Sequence, residues 1–259
     1  LAPSPANSSV CQYANRTGPM TAAIAIICKT PRAGFSKTRM IPLLGPQAAA
    51  ALAGAFLRDI CDVVVETGAG FPLQGYAVYA PAGSEAALAG YLPRDFRLLC
   101  QEGGDLGRVL LSSSEHLLRE GHSSVLLVNA DSPTLPAGRL AMALDALGPA
   151  GDRVVLGPAL DGGYYLIGLK RPHAHLFADI PWSTSDVLAR TRERARELAL
   201  PVVELPAWYD VDDAATLGLL TAELAGTPPA CALPGDPPPS AAATRAVIAR
   251  LAVVADASA

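Results

Sequence analysis

Residues 22–40 read AAIAIICKTPRAGFSKTRM. The stretch 22–28 is apolar without interruption, the pattern of a strand buried on both faces. The loop from Lys29 to Arg39 then carries four cations, Lys29, Arg32, Lys37 and Arg39, with Pro31 and Gly34 among them. In open α/β sheets, ligands bind in loops that leave the carboxyl ends of strands. Phosphate oxygens accept charge-assisted hydrogen bonds from such cations, and a glycine lets backbone amides approach them. Lys29, Gly34, Lys37, Thr38 and Arg39 are therefore candidate phosphate-binding residues, and a solvated basic loop is the competing reading. Ser36 stands where a Walker A loop needs a glycine before Lys37-Thr38, which argues against a P-loop NTPase. GxGxxG is also absent, which weighs against a dinucleotide-binding oxidoreductase.

Outward from this stretch, strands and helices alternate. Apolar or alternating runs at 74–80, 96–101, 124–129, 153–158, 164–169 and 202–205 predict strands. Helical spacing predicts helices over 47–66, 84–91, 106–120, 137–147, 184–199 and 213–225. The expected fold class is a three-layer α/β/α domain on a mainly parallel sheet, spanning residues 20–225. Residues 226–240, GTPPACALPGDPPPS, read as a Pro-rich linker, and 241–259 as a C-terminal helix. Residues 1–19 read as a disordered or non-native leader: they lack the basic and apolar regions of a secretory signal.

Polar constellations fall in loops expected at the same end of the sheet. Asn129-Ala130-Asp131-Ser132-Pro133 follows a buried strand. A carboxylate there suits a hard divalent cation, because Mg²⁺ takes one or two protein carboxylates and completes its shell with phosphates and water. Helix capping by Asp131 or Ser132 is the alternative. In Asp210-Val211-Asp212-Asp213, successive residues of extended backbone face opposite ways. One carboxylate is expected to bind metal while Asp213 caps the next helix. Asp161-Gly162-Gly163-Tyr164 reads either as a plain hairpin turn or as a wall presenting backbone groups and Tyr164 to a sugar or acceptor. Arg108, after Glu102-Gly103-Gly104-Asp105, is placed to reach a phosphate, or simply follows a cap at Asp105.

Composition sets further bounds. The net charge of −4 gives no concentrated basic surface of the kind nucleic acid requires. No apolar run approaches the roughly 20 residues of a membrane-spanning helix. The five cysteines (Cys11, Cys28, Cys61, Cys100, Cys231) include no CxxC pair, so neither a disulfide framework nor a zinc site is expected. Cys28, closing an apolar run, reads as a buried thiol. His173 and His175 lack metal-ligand company. The location expected from these features is the cytoplasm.

In order along the chain, KTPRAGFSKTRMIPLLG, GGDLGRV, DSPTLP, VVLGPALDGGYYLIGL, PWST and DVDDAATL resemble the bacterial GT-A-like glycosyltransferase family known as domain of unknown function 2064. The resemblance covers residues 22–222. It implies a nucleotide-diphospho-sugar transferase (GT-A) fold, similar to that of molybdenum-cofactor and phospholactate guanylyltransferases. It also implies Mg²⁺ or Mn²⁺ held at Asp131, with Asp212 as second carboxylate, and a nucleotide in the loop after the first strand. Lys37 and Asp131 are the residues expected to serve catalysis. The partners implied are a nucleotide-sugar or a nucleoside triphosphate and a small-molecule acceptor, with no nucleic acid. Glycosyl transfer from a nucleotide-diphospho-sugar is the leading expectation. Nucleotidyl transfer releasing pyrophosphate, or non-catalytic nucleotide binding on the same fold, are the alternatives. One departure is Asn129-Ala130, where the family pattern carries a glycine before the aspartate.

Overall fold

A computed structural model describes residues 21–256, with the side chains of 252–256 left aside. The expected leader at 1–19 lies outside the described residues. The strands are β1 (Ala22–Lys29), β2 (Leu73–Ala80), β3 (Arg97–Cys100), β4 (Val125–Asn129), β5 (Val154–Pro158), β6 (Tyr164–Leu169) and β7 (Val202–Glu204). The helices are α1 (Ile41–Leu44), α2 (Pro46–Gly68), α3 (Glu85–Leu88), α4 (Leu106–Arg119), α5 (Ala137–Leu147), α6 (Val187–Glu197), α7 (Ala214–Leu224) and α8 (Ala242–Asp256).

The strands form one sheet in the order β3-β2-β1-β4-β6-β5-β7. β6 alone runs against its neighbours β4 and β5; the other pairings are parallel. The uninterrupted apolar run of β1 is explained by its central place. Ile24, Ile26 and Cys28 face one helical layer with α2, α5, α7 and α8, while Ala23 and Ala25 face the other with α4 and α6. β4 divides in the same way, with Leu126 and Val128 on one side and Val125 and Leu127 on the other. Period-two alternation thus serves two cores at once.

The segment between α7 and α8 is fastened to the domain. Arg139 is 2% exposed and forms a bidentate pair with Asp236 at 3.1 and 2.7 Å. A guanidinium so buried needs a geometrically matched carboxylate to offset desolvation. α8 lies along α2, whose Asp59 carboxylate accepts from the amides of Ala243 and Thr244 at 2.9 and 2.8 Å. The first-turn amides of α8 are satisfied by a side chain from a distant helix rather than by a local cap.

Candidate functional site

β1, β3 and β4 all point their carboxyl ends at one cleft of about 550 Å³. Lys29, Lys37, Thr38, Arg39, Asp131 and Asp212 line it. The basic loop is built by local turns. Phe35 and Ser36 donate their amides to the Arg32 carbonyl, and Ser36 Oγ accepts from the Arg32 amide at 2.9 Å. Gly34 takes a φ of 82° to make the bend. Lys37 is also left-handed, with φ 46°. For a lysine that conformation costs on the order of 1 kcal/mol, so surrounding contacts must hold it.

Those contacts are acidic. Lys37 Nζ lies 2.6 Å from Asp131 Oδ1 and 2.9 Å from Asp212 Oδ1, and it donates to the Val211 carbonyl at 2.7 Å. The Lys37 side chain is 6% exposed, against 42% and 40% for the two aspartates. Burial works against the ammonium, but the charges and hydrogen bonds of Asp131 and Asp212 outweigh it and hold the Lys37 pKa above the ordinary lysine value. Arg39 lies farther out, 3.8 Å from Asp212 Oδ2 and largely exposed. A main-chain bond from the Val211 amide to the Asp131 carbonyl, 2.9 Å, joins the two acidic loops. Beneath them Thr134 donates to the Tyr209 hydroxyl at 3.2 Å, and Tyr209 donates to Glu223. This buried chain links the loop after β4, the segment before α7 and α7 itself.

The helix-cap readings divide. Asp213 caps α7 in a capping box with Thr216, as expected. Asp105 caps α4 by accepting from the Arg108 amide at 2.8 Å. Asp131 and Ser132 do not cap α5, whose N-cap is Pro136. Asp131 is therefore left to face Lys37.

Several of the expected site residues stand outside the cleft lining. Arg108 does not line the cleft; its guanidinium is 3.6 Å from Glu102 on an exposed surface. Tyr164 does not present its hydroxyl to an acceptor. Its ring packs edge-on against Trp182, and burial pushes its pKa up. The side chain is drawn into the apolar layer under α6 because strand alternation turns it inward. Gly162 and Gly163 are fixed in the turn rather than displayed to the cleft. Gly162 has φ 92°, and an added Cβ would lie 2.1 Å from the Ser185 carbonyl oxygen. Gly163 donates its amide to Asp161 Oδ1 at 2.8 Å. Asp161 itself lies outside the cleft lining, and its charge acts on Asp210. With Asp212 and Asp131 it adds to burial in raising the Asp210 pKa to about 6.

One cleft residue carried no sequence signal beyond position. Gln101 ends the run after β3, and its amide nitrogen donates to the carbonyls of Cys28 and Val78 at 3.1 and 3.0 Å. Its oxygen is thereby the atom turned away from those carbonyls. Cys28 is buried as expected, and burial first, then Asp131, pushes its thiol up to about 12.

This sheet, with its one reversed strand and cleft at the carboxyl ends, defines a nucleotide-diphospho-sugar transferase type of fold. A family model described as "Uncharacterized protein conserved in bacteria (DUF2064)" matches residues 66–184, bearing out the resemblance read from the sequence. A protein of Desulfovibrio desulfuricans G20, provisionally described as a nucleotide-diphospho-sugar transferase, superposes with a TM-score of 0.75 at 28% identity. The match covers 89% of this chain and 96% of that one. CMP:2-keto-3-deoxy-manno-octonic acid synthetase in complex with CTP shares the fold at 10% identity and a TM-score of 0.50, covering 79% of this chain and 98% of its own. So does 4-diphosphocytidyl-2C-methyl-D-erythritol synthase of Anaerococcus prevotii, at 10% identity and 0.51, covering 79% and 99%. No curated protein sequence matches the chain. Among the described residues, no helix is long and apolar enough to cross a membrane.

Proposed function

We propose that the chain is a divalent-metal-dependent transferase that takes a nucleotide-diphospho-sugar as donor. One observation carries this reading: Asp131 and Asp212, from loops far apart in sequence, flank a single cation, the Lys37 ammonium, inside the cleft. Two half-exposed carboxylates around one cationic point are a donor set suited to Mg²⁺ or Mn²⁺. Among the described residues, no group of three or more His, Cys, Asp or Glu side chains can hold an ion unaided. That fits a metal whose remaining ligands come from phosphate and water. The description of the D. desulfuricans protein supports the same donor class.

A bound Mg²⁺ or Mn²⁺ would neutralise charge developing on the leaving diphosphate. Lys29 and Arg39, which are not committed to close ion pairs, bind phosphate oxygens from the basic loop together with Thr38. An acceptor hydroxyl attacks the sugar C1, the C1–O bond to the diphosphate breaks, and the nucleoside diphosphate leaves with the electron pair. The hydroxyl proton of the acceptor passes to solvent as the new bond to C1 forms.

Calorimetric titration with UDP-sugars, GDP-sugars and GTP, each with and without Mn²⁺, tests the reading. Metal-dependent binding that Asp131→Asn removes supports it; binding indifferent to metal, or none, overturns it. Nucleotidyl transfer is a second reading, favoured by the two cations, Lys29 and Arg39, left over for a third phosphate. There an acceptor phosphate attacks the α-phosphorus and pyrophosphate leaves. Release of pyrophosphate rather than nucleoside diphosphate on turnover would decide for it.

A further inference from the structure

The Lys37 ammonium occupies the place between the two carboxylates that a divalent ion would have to share. Its three hydrogens match three acceptors, Asp131 Oδ1, Asp212 Oδ1 and the Val211 carbonyl, at 2.6 to 2.9 Å. In this state Lys37 has no donor left for a phosphate. An Mg²⁺ ion binds carboxylate oxygen at about 2 Å. Coordinated by both Oδ1 atoms, it would be in contact with Nζ, and two cations do not share that space. Lys37 therefore serves either the carboxylate pair or the phosphates, never both.

We infer that Lys37 is a built-in counter-ion that keeps Asp131 and Asp212 closed to divalent cations until nucleotide phosphates draw its ammonium away. This rests on the reading of Asp131 and Asp212 as metal ligands. The parts needed for the exchange are present. Lys29 lines the same cleft and has no ion pair among the described residues, and Arg39 is held only at 3.8 Å. Both are available for a first phosphate contact while Lys37 is still engaged. The lysine stem is a flexible four-carbon chain that can re-aim its head group without moving its backbone. Once the ammonium turns to phosphate, the carboxylate pair is left doubly negative and uncompensated, which raises its affinity for a dication. By linkage, nucleotide and metal then strengthen each other's binding by one common factor.

Titration of Mn²⁺, followed by the electron paramagnetic resonance of the free ion, tests this on the full chain. It is run alone and with each of UDP, GDP, CDP and ADP, on the wild type, Lys37→Met and the double variant Lys37→Met/Asp131→Asn. The wild type is expected to bind Mn²⁺ weakly alone and at least tenfold more tightly with a nucleotide that it accepts. Lys37→Met is expected to bind Mn²⁺ at least tenfold more tightly than the wild type without nucleotide, and the double variant to lose that gain. Lys37→Gln, which keeps a hydrogen-bond donor and drops the charge, replaces Lys37→Met if the latter does not fold, and it must show the same gain. If the nucleotide-free variant binds no better than the wild type while the wild type binds Mn²⁺ with nucleotide, the counter-ion role is overturned and the metal-dependent reading stands. If no form binds Mn²⁺ under any condition, both fall.

Discussion

The two halves of the acidic cluster are built from the same residue type and treated oppositely. Asp131 and Asp212 close on the Lys37 ammonium, with Arg39 beyond it. Asp210, two residues from Asp212, is half-buried, and its pKa is raised to about 6 by burial first and then by the charge of Asp161. One half is compensated inside the protein, whereas the other is left charged against itself. The contrast shows that a carboxylate-rich sequence does not define a single site. Asp210 and Asp212, two residues apart, meet different neighbours, and the neighbours decide whether the charge is neutralised or stored.

The largest expected effect breaks the compensated half. Asp131→Asn with Asp212→Asn leaves Lys37 buried without a counter-charge, and urea unfolding is expected to show a loss of about 4 kcal/mol. If the loss is under about 1 kcal/mol, Lys37 rehydrates easily and the compensation is a surface pair. Next comes the turn that carries Asp161. Gly162→Ala would place a methyl group against the Ser185 carbonyl at a positive φ. A loss of about 3 kcal/mol in the same assay is expected, from strain and overpacking together. A change near zero would mean that the turn moves freely.

The uncompensated half gives an effect of opposite sign. A carboxyl whose pKa is raised on folding disfavours the native state once pH exceeds its unfolded value, and in full above its folded value. Asp210→Asn is therefore expected to stabilise the protein by about 1 kcal/mol at pH 7, after discounting for its partial exposure. The gain should shrink as pH falls through about 6 and vanish below the ordinary aspartate value of 3.8. Melting curves across pH 3 to 8 would show it, and a gain that persists at pH 3 would point to packing instead of charge. The smallest effect belongs to Arg108, which meets only Glu102 on the surface. Arg108→Ala should change stability by less than about 0.5 kcal/mol and leave nucleotide affinity unaltered; a weakened nucleotide would restore it to the site.

Much of the fold was legible in the sequence. The apolar runs at 22–28 and 124–129 needed two buried faces, and they became the adjacent central strands β1 and β4. Asp105 and Asp213 stood where helices begin, and both cap them. The basic loop and Asp131 were legible as polar text at strand ends. Gln101 was not, because one amide after a strand has no spacing to distinguish it. The facing of Tyr164 was not either, since a hairpin and an acceptor wall share the same glycines.

Sequence alone determined the alternation of strands and helices, the cap at Asp213, and the charge of each loop, because these depend on periodicity and on neighbours a few residues away. Only the tertiary structure decided which charges meet. Lys37 and Asp212 are 175 residues apart, and their approach to 2.9 Å depends on strand order and loop direction. Neither is written into local pattern, since the free energy that sets them comes from burying both faces of the whole sheet.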